Sequence, residues 1–293
     1  MRILHLDSGR EMRGGQWQVL RLVEGLHTAG VESTLLARPG APLYLAARKL
    51  GWRVEPIGLS RAVLLARRHD LIHAHDAHGH TLGAIVRGSR LAVSRRVSFA
   101  VGSRWKYSRA SRYLAVSEFV KRMLIAGGVD ENKIRVVYDG VPLLEPSHGT
   151  AVMGPSNAGD PLKGAPLAVE AASLAGMALR LSNDLERDLE HAAVFVYITH
   201  SEGLGSGALM AMSAGVPVVA SNVGGLPEVI RHRENGMLVG NVVADIAAAI
   251  RELLDNPDLA RRIGQAARET ISRQFTVGHM VRNTMEVYRQ VLQ

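Results

Sequence analysis

The chain contains no cysteine. Disulfides and thiolate metal sites are therefore excluded, and a reducing compartment fits. Aromatic residues make up only 4%, too few for a stacking platform that would hold single-stranded nucleic acid. No apolar run reaches the roughly 18 residues of a membrane span, and no secretory h-region follows the N-terminus. Internal repeats and low-complexity tracts are also missing. Acidic residues are in deficit in one half only. Residues 1–146 carry 23 Lys/Arg against 12 Asp/Glu, a net +11, whereas residues 147–293 carry 12 against 15, a net −3. A basic half beside a mildly acidic one suggests that one domain meets something anionic. Nucleic acid and an anionic membrane surface are both candidates, and a merely solvated basic surface stays open.

At 293 residues, with 47% hydrophobic and 21% charged residues, two globular domains are expected. Short β-like runs alternate with helical patterns throughout, the signature of a parallel α/β architecture. In the first half, strands are expected at 2–6, 32–37, 53–57, 70–73, 92–99, 113–116 and 134–138. The clearest helix, 16–29, places Val19, Leu20, Leu22, Val23 and Leu26 on one face and stops at Gly30. Between 139 and 162 the texture becomes turn-rich, with Pro142, Pro146, Gly149, Gly154, Pro155, Gly159 and Pro161. The junction is placed there, giving domains 1–147 and 148–293. The alternation then resumes: a helix at 165–174, strands at 177–181, 194–199 and 216–220, and a helix from Ser206. A helical tail runs from 242 to 293, broken near Pro257 and Thr276, and its last helices can return to the first domain.

Four segments carry candidate chemistry. Arg13-Gly14-Gly15-Gln16 follows the first strand and opens a helix, so a backbone free of side chains and unpaired N–H groups can face a phosphate. The spacing is not GxGxxG, which argues against a nicotinamide-dependent oxidoreductase. A plain tight turn is the alternative. The run His73-Ala-His75-Asp-Ala-His78-Gly-His80 puts His73 and His75 on one side of a strand. Metal binding is one reading; lining a ligand cleft at the C-terminal edge of a parallel sheet is another, and loop histidines without a role a third. Lys163-Gly164 matters only if the lysine faces a phosphate. Thr199-His-Ser-Glu202-Gly203-Leu204-Gly205-Ser206 joins a strand to a helix, and its glycines make an anion seat from backbone amides. Glu202 is placed to accept hydrogen bonds from sugar hydroxyls. A second glycine turn, Gly224-Gly225-Leu-Pro-Glu228, follows the next strand.

Taken in order, Glu202-Gly-Leu-Gly, Met212-Ser-Ala-Gly-Val-Pro-Val-Val, Gly224-Gly-Leu-Pro-Glu and Glu234-Asn-Gly-Met-Leu-Val resemble the C-terminal half of the family 4 (group 1) glycosyltransferases. Gly14-Gly15, His73-Ala-His-Asp, Ala115-Val-Ser-Glu and Val136-Val-Tyr-Asp-Gly-Val-Pro extend the resemblance through the first half, and Lys163-Gly164 matches the family's lysine–glycine pair. The resemblance implies a GT-B fold of two Rossmann-like domains, the second one shortened. It implies a UDP- or GDP-sugar donor, transfer with retention, and no metal or other cofactor. Catalytic roles fall to Glu202, Lys163 and His75, and donor binding to Gly14, Gly15, Gly203, Leu204, Gly205, Ser206 and Met210. The expected acceptor is lipid-linked or another envelope saccharide, met by a cytoplasmic protein at the inner face of the membrane, with no nucleic acid partner.

The sequence departs from the family in several places. Met210 stands where a second glutamate, eight residues after the first, grips the donor ribose. No arginine lies between 154 and 162, where a second phosphate clamp is expected. Only 38 residues separate Lys163 from Glu202, about two βα units fewer than the family pattern. Arg95 and Arg96 replace a cleft histidine after the fifth strand. These departures sustain an alternative: a catalytically degenerate relative that binds a glycan, lipid or partner protein.

Overall fold

The computed structural model of the protein describes residues 1–86, 90–156 and 162–293. They form two compact units, one of Met1–Asp139 with Val277–Gln293 and one of Gly140–Thr276. In the first unit the strands are β1 (Arg2–Asp7), β2 (Glu32–Ala37), β3 (Val54–Pro56), β4 (Leu71–Ala74), β5 (Leu91–Arg95), β6 (Arg112–Ala115) and β7 (Ile134–Val136). They form one sheet in the order β3-β2-β1-β4-β5-β6-β7, parallel at every pairing. Helices cover both faces, which is why β1, β2 and β4 are almost wholly buried rather than alternating between buried and exposed positions.

The second unit holds β8 (Ala151–Pro155), β9 (Leu179–Ser182), β10 (Ala192–Tyr197), β11 (Val218–Ser221) and β12 (Met237–Val239). Their order is β12-β11-β10-β8-β9, again parallel. Its core gathers Val152, Val194, Val196 and Val219 from the sheet against Ile246, Ile250 and Leu253 of the Val243–Asp255 helix. With five strands against seven, the second unit is the smaller one, as expected from its sequence.

Three expectations change. The units divide after Asp139, not after 147. Val141 already pairs with the Phe275 carbonyl (2.9 Å), and the Ser147 hydroxyl bonds the carbonyls of Glu190 and Ala192, so 140–150 is tied to the second unit. Within the stretch read as turns lies a central strand, β8. Gly154 is there because the Val196 carbonyl of the neighbouring strand lies 3.0 Å from where a Cβ would sit; the glycine marks close packing, not a turn. The Gly159 and Pro161 part of that stretch lies outside the described residues. The third change is at β5, which ends at Arg95 rather than Phe99. Beyond it the Arg95 side chain bonds the Phe99 carbonyl and folds the segment back on itself.

The last helix, Val277–Leu292, belongs to the first unit. Met280, Val287, Tyr288 and Val291 pack into a cluster with Ile3, Leu22, Leu26, Leu71, Ala92 and Leu114.

Candidate functional site

In the second unit the expected residues converge at the C-terminal edge of β10, β11 and β8. Lys163 pairs as an isolated bridge with Thr199, just beyond β10. The Leu162 carbonyl before it accepts the Thr199 hydroxyl (3.1 Å) and the His200 amide (2.8 Å). This stitching brings the Lys163 ammonium to Glu202, with Nζ 2.6 Å from Oε2. The same Oε2 accepts the Tyr197 hydroxyl at 2.7 Å, and Oε1 accepts the Gly203 amide at 3.1 Å. The ammonium also lies 5.6 Å from the centre of the Tyr197 ring. Tyr197 was not singled out by the sequence. Its only signal was a hydroxyl at the end of the otherwise apolar run Ala192-Ala-Val-Phe-Val-Tyr197. Burial and the Glu202 carboxylate push its hydroxyl well above the ordinary value for tyrosine, so it stays a donor.

Gly205 precedes the helix Ser206–Ser213 with φ +101° and no side chain caps the helix start. Gly203, Leu204 and Gly205 are buried. The expected role of all three amides toward a ligand narrows here, because the Gly203 amide is already given to Glu202. Ser206 opens the helix, and Met210, 3% exposed, lies one turn further along among wholly buried residues. From the other side the glycine turn after β11 holds Glu202. Gly225 donates to the Glu202 carbonyl at 3.3 Å. Gly224 sits at φ +61°, and a Cβ there would lie 2.0 Å from that carbonyl oxygen.

In the first unit, Gly14 and Gly15 open the helix Gly14–Thr28, which no side chain caps. Nothing lies within 4 Å of where a Gly15 Cβ would be, so the space there is open. Asp7, at the end of β1, accepts from the Gly9 amide, and both of its carboxylate oxygens accept from Gln16 Nε2. Burial and the neighbouring Asp76 push it up to about 6. Asp76 caps the helix Ala77–Ile85 through the Gly79 amide and ties down Ser8.

His73 and His75 do share one side of β4, with ring centres 4.0 Å apart, but neither is an open cleft residue. His73 is fully buried, bonded through Nδ1 to the Tyr288 hydroxyl (2.6 Å) and through Nε2 to Ser94 (2.8 Å). His75 is 7% exposed; its Nε2 meets His5 Nδ1 at 3.0 Å, and its Nδ1 has no hydrogen-bond partner among the described residues. His80 is buried against Tyr107 and Tyr113, and His78 is exposed. His5, His73 and His75 lie close enough to share an ion. Yet both nitrogens of His73 are committed, and the Arg96 charge nearby opposes a cation. The arrangement is a hydrogen-bonded core network better than a ligand set. Arg95 and Arg96 are both engaged by neighbouring groups. Arg96 is ion-paired to Asp139 at 2.9 Å, largely out of solvent, and Arg95 serves the Phe99 carbonyl.

The two halves of the chain match two family descriptions: residues 12–144 match Glycosyltransferase Family 4, and residues 162–270 match Glycosyl transferases group 1. The chain belongs to the group 1, family 4 glycosyltransferases. Like other members of this glycosyltransferase family, it has the GT-B fold. HepE of Anabaena, solved with UDP-glucose, superposes with a TM-score of 0.87 over 99% of this chain and 100% of that one, at 17% identity. Sucrose-phosphate synthase of Thermosynechococcus elongatus superposes with a TM-score of 0.78 over 99% of each chain, at 18% identity. In sequence, the α-maltose-1-phosphate synthase of Mycolicibacterium smegmatis is 39% identical over 110 residues, covering 35% of this chain and 28% of that one. The GDP-mannose-dependent α-(1-6)-phosphatidylinositol monomannoside mannosyltransferase of Mycobacterium tuberculosis is 45% identical over 75 residues, covering 25% and 20%. These matches thus span less than a third of each curated relative's length.

Proposed function

We propose that this glycosyltransferase moves a sugar from a UDP- or GDP-sugar to a lipid-linked or envelope saccharide, with retention of configuration and without a metal or other cofactor. The observation that carries the reading is the Lys163–Glu202 contact beside an uncapped helix start: a cation for a diphosphate, a carboxylate for sugar hydroxyls, and backbone amides between them. In transfer, the bond from the anomeric carbon to the phosphate oxygen breaks and the diphosphate leaves as an anion. The acceptor hydroxyl forms the new glycosidic bond and passes its proton to the departing phosphate oxygen. Lys163 stabilises the charge that develops on the leaving oxygens, which is where electrostatic catalysis acts. Glu202 holds the donor sugar and the amides from Leu204 to Ser206 face the phosphates; within the first unit, the uncapped helix start at Gly14–Gly15 has open space for a phosphate. His75, held in the buried network with His5 and His73, has no part in this reading. HepE was solved with UDP-glucose and the mycobacterial relative takes GDP-mannose, which supports a nucleotide-sugar donor.

The acceptor side is read from surface chemistry. In the first unit Phe99 and Trp105 are exposed, and Trp105 stacks on the Arg109 guanidinium at 4.6 Å. Exposed aromatic and basic groups together suit an anionic membrane surface, where each nearby cation contributes roughly 1 kcal/mol. No helix among the described residues is long and apolar enough to cross a membrane. Met210, which replaces a carboxylate expected to grip the donor ribose, favours a second reading: a catalytically degenerate relative that binds a glycan, lipid or partner protein.

Thermal shift with UDP, GDP and their sugars tests the reading. Ligand at 100 times its Kd adds about 2.7 kcal/mol of stability, and Lys163→Ala should abolish most of that gain. No shift at millimolar nucleotide would overturn donor binding. A shift without sugar transfer or donor hydrolysis would favour the second reading.

A further inference from the structure

We infer that Tyr197 is a positioning residue, the donor that keeps the Glu202 carboxylate in place once a diphosphate draws Lys163 away from it. The inference rests on the donor site proposed above and assigns a role within it to a residue that no expectation included.

Lys163 and Tyr197 share one oxygen, Glu202 Oε2, at 2.6 and 2.7 Å. They hold it in different ways. The Lys163 ammonium sits at the end of four rotatable bonds, and its side chain keeps 20% of its exposure. A flexible, compact cation of this kind can be recruited by a stronger anion. Tyr197 has no such freedom. It closes β10 and is 7% exposed, and its ring is wedged under the start of the Ser206–Ser213 helix. A Cβ at Gly207 would lie 2.9 Å from the ring's Cε2, and one at Gly205 would lie 3.5 Å from Cε1. The two glycines of Gly205-Ser-Gly207 therefore leave room for an aromatic ring, and that packing fixes where the hydroxyl points.

A diphosphate brings more negative charge than one carboxylate, so Lys163 moves to it. Oε2 then loses its charged partner in a site where the Glu202 side chain keeps 15% exposure. A partly buried carboxylate oxygen without a donor is costly. Without the Tyr197 hydroxyl, the carboxylate keeps Lys163 and competes with the phosphates, or it turns toward water and loses the sugar. With the hydroxyl, Oε2 stays satisfied. Oε1 remains anchored by the Gly203 amide and the carboxylate plane is held for the sugar. The burial that lifts the Tyr197 hydroxyl far above its ordinary range keeps its proton in place for this.

The test is calorimetric titration of the full chain and of Tyr197→Phe, with UDP, UDP-glucose, GDP and GDP-mannose as probes. Tyr197→Phe keeps the ring and removes one donor. Because Glu202 meets the sugar and not the nucleotide, the variant should lose about tenfold or more in affinity for the nucleotide-sugar. Affinity for the matching free diphosphate should stay within about twofold. A merely structural role would weaken both ligands together. In a Glu202→Gln background, Tyr197→Phe should cost little more, since the two residues act as one unit. Equal losses for diphosphate and sugar nucleotide, no loss for either, or additive losses in the double variant would overturn the inference. Wild-type protein that binds none of the probes is a different result: it overturns the donor site itself, and Tyr197's role with it.

Discussion

At the scale of residues, the first unit carries an unusual load of neutral buried histidine. Burial holds His5 down to about 3, and holds His73 and His75 well below the ordinary 6.5; the other histidines and Arg96 add to it. A histidine whose folded value is depressed refuses protons that the unfolded chain accepts. Its stabilising share is present above 6.5 and is lost as pH falls below it, at about 1.4 kcal/mol per pH unit for each group. Asp7 acts in the opposite direction. Its folded value of about 6 lies above the ordinary 3.8, so the native state gains between those limits as pH falls. Three histidines outweigh one carboxyl, so the midpoint of thermal unfolding should drop steadily from pH 6.5 to 5. A flat profile over that range would contradict the burial of the network. The sequence revealed the histidines and their shared side of one strand. It did not reveal that Tyr288, 215 residues away, would seal His73 into the core.

At the scale of elements, the glycine turn after β11 sets the position of Glu202. Gly224 needs its left-handed backbone, and its missing side chain makes room for the Glu202 carbonyl. Gly224→Ala therefore combines a backbone penalty of roughly 1–2 kcal/mol with a steric clash. It should lower the denaturant midpoint and weaken nucleotide-sugar binding together. Gly15→Ala is the contrast. Its Cβ would meet nothing and alanine favours helix by up to ~1 kcal/mol, so stability should hold or rise, while a ligand approaching the helix start would lose affinity. The same comparison explains the misread elements. Glycine and proline at 154 and 155 gave β8 the composition of a turn, but composition does not say whether a missing side chain serves a bend or a neighbouring strand. β12 was legible only as part of a motif, because three residues are too few to show a period.

At the scale of the whole molecule, the first unit is not continuous in sequence. The final helix supplies Met280, Val287, Tyr288 and Val291 to a core built from residues 3 to 137. Fully burying one such side chain contributes about 1.5–3 kcal/mol, so four of them amount to a large part of the 5–15 kcal/mol that a domain has in total. A chain ended at Thr276 should leave the first unit unfolded or aggregated, with amide protection lost in β1 and β4 by hydrogen exchange. Unchanged protection there would show that the helix is dispensable. The amphipathic period of 277–292 was readable in the sequence, but the surface it covers was not.

The sequence by itself determined the parallel α/β class, the family, the smaller second sheet and the strand-to-helix turns that carry Glu202 and Gly14–Gly15. These follow from local periodicity, from glycine at fixed offsets and from motif order. Only the tertiary structure decided that Lys163 and Glu202 meet, that Tyr197 completes the pair, that Arg96 is spent on Asp139, and that the chain's end belongs to its beginning. Most of these contacts join residues tens to hundreds of positions apart, and Tyr197, five before Glu202, reaches it only because the chain turns between them. They depend on how strands stack in order and how side chains fill the space between layers, and no local pattern encodes that.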